Sequence, residues 1–186
     1  MKRISLNAGQ ARQQLETLVT KHLGDGLFLH GVETTQDTIY SEFEQALETL
    51  AEDTPVTLVF YTESELLAAT LAEARGFLDR VLQELPPLAD AFYAGRGAVH
   101  SLAQLAEALA WLQEVTVQLR QRGYDAFAGW PERLTDAARE LLRVAEEGRA
   151  ADQGDFLLYE LQGTLDGLRD RLRRTEAARL PEGEQR

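Results

Sequence analysis

Apolar positions along this chain keep two rhythms. Over the first sixty residues they fall in short alternating or β-branched runs separated by brief helical stretches. From Thr62 onward, leucines recur at steps of three and four. The clearest case of the second rhythm is Thr62–Leu85, where Leu67, Leu71, Ala74, Leu78, Val81 and Leu85 form a seam that must be buried against other helices.

In chain order, Lys2–Asn7 reads as a strand with Ile4 and Leu6 on one side. Asn7 with Gln10 makes a capping box, which opens a helix carrying Ala11, Leu15, Leu18, Val19 and His22 on one face. Gly24 and the Asp25-Gly26 pair end it. Leu27–Val32 and Thr38–Tyr40 read as strands across a polar hairpin loop. Ser41 with Glu44 caps a second helix bearing Phe43, Ala46, Leu47 and Leu50, and Val56–Tyr61 is the most strand-like run of all. Residues 1–62 are therefore predicted to form a small β-α-β-β-α-β unit of ferredoxin-like order.

Residues 63–180 predict helices alone. Thr62 with Glu65 caps the first, and Pro86-Pro87 are expected to end or kink it, with Leu88–Ala94 resuming as a segment that carries Phe92 and Tyr93. Ser101 with Gln104 starts the next, whose seam is Leu102, Leu105, Leu109, Leu112, Thr116 or Val115, and Leu119, and Gly123 closes it. Pro131 opens a third helix with Leu134, Ala138, Leu141 and Ala145 aligned. Gly148–Gly154 reads as a polar connection, and a last helix from about Asp155 aligns Leu158, Leu161, Leu165, Leu168 and Leu172. Four matched seams joined by short loops predict an antiparallel four-helix bundle, so the fold class is α+β. A homodimer sharing one seam is the alternative. The strand Val56–Tyr61 runs directly into the capped helix, so the halves are expected to be rigidly coupled, while the tail 181–186 is expected to be disordered.

Charge narrows the function classes. A net charge of −12 over 186 residues speaks against nucleic-acid binding, which needs a clustered basic surface. The four arginines at 169, 171, 173 and 174 are interspersed with Asp166, Asp170 and Glu176 and read as an ion-paired helix face. No apolar run is long enough to span a membrane and no secretory leader is visible, so a cytoplasmic protein with no membrane partner is expected.

Candidate chemistry is sparse. The chain has no cysteine, which removes thiolate ligands and thiol nucleophiles. A di-metal bundle site needs Glu three residues before His, but Val19, Leu27 and Gly97 precede His22, His30 and His100 at that distance. His22 and His30 are close enough in the predicted α/β unit to approach each other, yet no acid–base partner is evident and both are read as structural. Neither Gly95-Arg96-Gly97 nor Asn7-Ala8-Gly9-Gln10 forms a phosphate fingerprint. No catalytic, cofactor or metal residues are assigned.

The aromatic residues carry the remaining signal. Tyr124, Phe127 and Trp130 crowd one connection and read either as a packing plug or as an anchor for a partner. Trp111 lies off the leucine stripe of its helix. With Phe92 and Tyr93, these are the candidate partner-binding residues. In composition and helix count the second half resembles small bacterial helical adaptors and export chaperones, a likeness that implies a non-catalytic interaction with another protein. The competing expectation is a small-ligand sensor or enzyme with a pocket between the α/β unit and the bundle.

Overall fold

A computed structural model describes residues 1–39 and 42–178. The chain divides into two compact units, one comprising Met1–Ala69 and the other beginning at Thr70.

The first unit is α+β. Strands β1 (Lys2–Asn7), β2 (Leu27–Glu33), β3 (Thr38–Ile39) and β4 (Pro55–Thr62) alternate with helices α1 (Ala8–Gly24) and α2 (Phe43–Thr49) in the order β1-α1-β2-β3-α2-β4. The sheet order is β1-β4-β2-β3, and every neighbouring pair is antiparallel. β1 and β2 are thus split by β4, and the short β3 lies at the edge. The sequence supplies the reason. β4 is apolar on both faces, with Val56, Leu58 and Phe60 alternating with Val59 and all four buried, which suits a central strand. β3 offers only Ile39 to the core among its described residues.

Ala8, Ala11 and Leu15 of α1 and Leu47 of α2 close over Val32, Val56, Leu58 and Phe60 on one sheet face. The Asn7–Gln10 box forms as expected, Gln10 N–H donating to Asn7 Oδ1 at 2.7 Å and Asn7 N–H to Gln10 Oε1 at 3.2 Å. On the opposite sheet face, Arg3 pairs with Glu33, Ser5 meets Thr57 and His30 stacks on Tyr61. α2 is preceded by Glu42 in a left-handed conformation with no side-chain cap; the expected Ser41 cap, like Tyr40 of the third strand and the tail 181–186, lies outside the described residues.

Helix α3 (Glu63–Tyr93) spans the boundary between the units. Its Thr62–Glu65 box is complete, with Glu65 N–H donating to Thr62 Oγ1 and Thr62 N–H to Glu65 Oε2. Contrary to expectation, Pro86 and Pro87 do not end it. Each proline removes one i→i−4 hydrogen bond, but both rings lie on the exposed side, while the seam continues beneath them through Leu85, Ala89 and Phe92. The seam also changes phase: after Leu78 it passes to the buried Leu82, leaving Val81 half-buried. Gly95, at φ +67°, closes the helix with Arg96 N–H reaching Ala91 O and Gly95 N–H reaching Phe92 O, a Schellman motif.

α4 (Val99–Gln121) starts at Val99, so Ser101 is inside the helix and its N–H donates to Ala98 O; the expected Ser101 cap is not formed. Gly123 closes it as expected, at φ +84°. A single 3₁₀ turn, Asp125–Phe127, leads to α5 (Trp130–Glu147). The polar connection expected over Gly148–Gly154 shrinks to two residues, because a helix resumes at Ala150. That last helix, α6 (150–177), runs through Ala150–Asp155, a π-helical stretch Phe156–Leu161, and Gln162–Ala177. The π stretch adds a residue to the turn and rotates the seam upstream of it, so Leu157 rather than Leu158 is fully buried above Leu161, Leu165, Leu168 and Leu172.

Side chains connect the helices of the second unit. Arg75 pairs with Glu176, and Asp79 lies 3.8 Å from both Arg169 and Arg173, so the basic cluster of α6 is partnered by α3 as well as by its own Asp166. Arg120 of α4 reaches Glu132 of α5, and Gln153 of α6 donates to Val144 O of α5. No described helix is long and apolar enough to cross a membrane.

Candidate binding groove on the second unit

The six aromatic candidates separate by burial. Phe127 is fully buried, and Phe92 and Trp130 nearly so, whereas Trp111 and Tyr93 are exposed at 37% and 45% and Tyr124 is half-buried. Phe92 is enclosed by the turn after α3: a Cβ added at Gly97 would sit 2.1 Å from its ring. Trp130 lies over Gly167 of α6 with Arg133 at 5.1 Å from its ring centroid, consistent with packing at the start of a proline-stiffened helix. These three side chains are buried, although Trp130 also lines the groove between α5 and α6. Tyr93 rests on Gly154 and donates to Asp155 Oδ1 at 2.6 Å. That hydrogen bond first, and partial desolvation second, push the phenol pKa up to about 12.

Trp111 is placed differently. Its ring meets Phe77 of α3 edge-on, with centroids 4.7 Å apart and planes at 60°. Arg80 covers Phe77 at 5.8 Å. Phe77 also lines a groove of about 620 Å³ that follows the line between α3 and α4. Its floor is apolar, formed by Val81, Leu85 and Leu88 from α3 and by Leu105 and Ala108 from α4; Glu84, Ser101 and Gln104 add polar groups. Helical spacing explains the lining. Phe77, Val81, Glu84 and Leu88 follow one another at steps of four, three and four, a second stripe beside the buried one, brought to the groove by the phase change after Leu78.

A second groove, about 800 Å³ between α5 and α6, is lined by apolar Trp130, Phe156 and Leu161 together with the charged Arg133, Asp136, Arg139, Glu140 and Glu160. Along α5, Arg143 binds Glu140 and Glu147 and lowers both carboxyl pKa values, with Arg149 the larger influence on Glu147.

The groove between α3 and α4 is lined mainly by apolar side chains. Its charged lining residues are Arg80 and Glu84, with no histidine. Among the described residues, no group of three or more His, Asp or Glu is placed to hold a metal ion. His22 and His30 point to opposite faces of the sheet: His22 is buried edge-on against Phe60, and His30 stacks on the next residue, Tyr61. His22 Nδ1 also lies 3.3 Å from Asp25, at the end of its own helix.

Sequence pattern singled out Trp111 but missed Phe77, Val81 and Leu88. The spacing places Val81 in the seam, and the pairing of Phe77 with Trp111 depends on the relative register of two helices. In comparisons with known proteins, no family model, no curated protein and no solved structure matches this chain.

Proposed function

We propose that this protein is a non-catalytic interaction module, an adaptor, chaperone or regulatory scaffold, that presents helical surface to a protein partner. The observation that carries the reading is the apolar groove between α3 and α4, whose lining residue Phe77 meets the exposed Trp111 edge-on. An exposed tryptophan packed against the wall of an apolar groove is among the side chains enriched where binding energy concentrates at protein interfaces. A helix or extended segment with two or three apolar side chains is the ligand that such a groove fits.

The second unit is, on this reading, an antiparallel four-helix bundle. Supporting it, Arg75 in the first half of α3 pairs with Glu176 near the end of α6, while Tyr93 at the end of α3 bonds Asp155 near the start of α6. The groove-lining residues of α3 and α4 are likewise matched in opposite directions, Phe77 meeting Trp111, and Leu85 and Leu88 lining the same groove as Ser101 and Leu105. A rigid helical frame of this kind holds the groove open without a bound partner.

The test is affinity purification of the tagged protein from its native cell, with mass spectrometry of everything bound. A stoichiometric protein partner is expected, with recovery falling about tenfold for Trp111→Ala and Phe77→Ala, a loss of about 1.4 kcal/mol. Tyr159→Ala, at an exposed position on α6, should leave recovery unchanged. A tightly held small molecule in place of a protein, or capture indifferent to Trp111 and Phe77, would overturn the proposal.

A further inference from the structure

The first unit carries a groove of its own, about 680 Å³, between α1 and α2. Val19 and Leu23 of α1, Leu29 of β2 and Phe43 of α2 supply its apolar surface, and Leu23 is 53% exposed on it. The charged residues that line it are all carboxylates, Glu16, Glu42 and Glu44. The cations of this unit lie elsewhere. Arg3 is paired with Glu33 on the opposite face of the sheet, and Arg12 donates to Leu50 O at 3.1 Å. Lys2 is on β1, and Lys21 falls on the opposite flank of α1 from Glu16, Thr20 and Leu23 by the 100° step of the helix. The bias extends to the whole unit, which holds four basic and eleven acidic side chains in residues 1–69.

We infer that this groove docks a cationic amphipathic helix of a partner protein, whose apolar stripe lies against Leu23 and Phe43 while its lysines or arginines face Glu16, Glu42 and Glu44. Two helices with a trough between them offer the ridges that a third helix packs into. The carboxylate rim selects the charge of that helix: like charges brought together across an interface cost several kcal/mol, and opposite charges steer the encounter. The same rim repels nucleic acid and anionic lipid, which leaves a basic protein segment as the occupant. The inference does not depend on the groove beside Trp111, because every lining residue belongs to the first unit.

The experiment uses the full-length chain and two synthetic helical peptides with leucines at i, i+3, i+4 and i+7, one with lysine at the remaining positions and one with glutamate. Binding is followed by calorimetry and by amide chemical shifts. The leucine–lysine peptide should bind, with shifts centred on α1 and α2, and the leucine–glutamate peptide should not. Leu23→Glu is the decisive variant. It removes the apolar anchor at an exposed position while adding a negative charge, so docking should weaken about tenfold whereas unspecific attraction to an acidic protein should strengthen. Glu16→Lys combined with Glu44→Lys should also weaken binding. Undiminished affinity in Leu23→Glu, shifts centred on the second unit, equal binding of the glutamate peptide, or binding to phosphatidylserine vesicles but not to the lysine peptide would overturn the inference.

Discussion

Gly97 and Gly154 are glycine for a steric reason, since neither has the positive φ that usually demands one. Each lies under an aromatic ring from the end of α3, and a methyl group there would approach within 2.1 Å of Phe92 or 2.6 Å of Tyr93. The two rings have unequal freedom to yield. Phe92 is 3% exposed and walled in, whereas Tyr93 is 45% exposed and has solvent to swing into. Gly97→Ala should therefore cost about 1–3 kcal/mol in urea unfolding, the ordinary range for forcing extra carbon into a packed site. Gly154→Ala should cost less and show its effect elsewhere. Displacing Tyr93 breaks the bond to Asp155, so the phenol should titrate closer to its ordinary value of 10 than to about 12. Ultraviolet titration of tyrosinate in Gly154→Ala against the parent checks this. An unshifted high-pH step would mean that the ring has kept its place.

At the scale of elements, periodicity located the helices well and their ends poorly. The Asn7–Gln10 and Thr62–Glu65 boxes were legible because capping is local chemistry, complete within four residues. Ser101–Gln104 has the same form but does not cap, because α4 begins at Val99 and the core-facing Leu102 is placed within its first turns. Pro86-Pro87 and the π stretch show where a local rule yields to packing. A proline pair normally terminates a helix, but here Ala89 and Phe92 are buried on the far side of it, and burial of Phe92 alone is worth about 1.5–3 kcal/mol. The π stretch cannot be seen in the sequence at all, since Leu157 and Leu158 are equally apolar and only cross-helix packing chooses between them. The proline pair yields the prediction at this scale. Replacing both by alanine restores the hydrogen-bond donors at positions 86 and 87 in a backbone that is already helical, and gives up some restriction of the unfolded chain. The double variant should be more stable than the parent by about 1–3 kcal/mol, read as a higher urea midpoint with unchanged slope. A lower midpoint would show that the prolines fix a bend on which the neighbouring helices depend.

For the whole molecule, the open issue left by the hydrophobic pattern is whether the seams close within one chain or between two. Leu67, Leu71, Ala74, Leu78 and Leu85 are each no more than 2% exposed in a single chain, as are Leu109, Leu112, Leu119, Leu165 and Leu168. A dimer built on any of these seams would have to open a packed core first, at about 2–5 kcal/mol for each large side chain uncovered without a replacement partner. Among the described residues, the large apolar side chains that stay exposed are scattered: Met1 at the N-terminus and Leu23, Tyr93, Val99, Trp111, Leu142 and Tyr159 on α1, α3, α4, α5 and α6. The outer strand β1 begins with Lys2 and Arg3, charged residues of the type that discourages edge-to-edge pairing. A net charge of −12 adds repulsion between copies, strongest where salt is low and the Debye length is about 10 Å or more. Sedimentation equilibrium at neutral pH should accordingly return the monomer mass of 20.8 kDa at about 0.05 M salt. Any self-association should increase with added salt or as pH approaches the isoelectric point of 4.7, since both remove the repulsion. A dimer that persists at low salt would require a surface strong enough to hold two acidic chains together. The grooves on the two units would then have to be reconsidered as places where copies of this chain meet, rather than as places where a different protein docks.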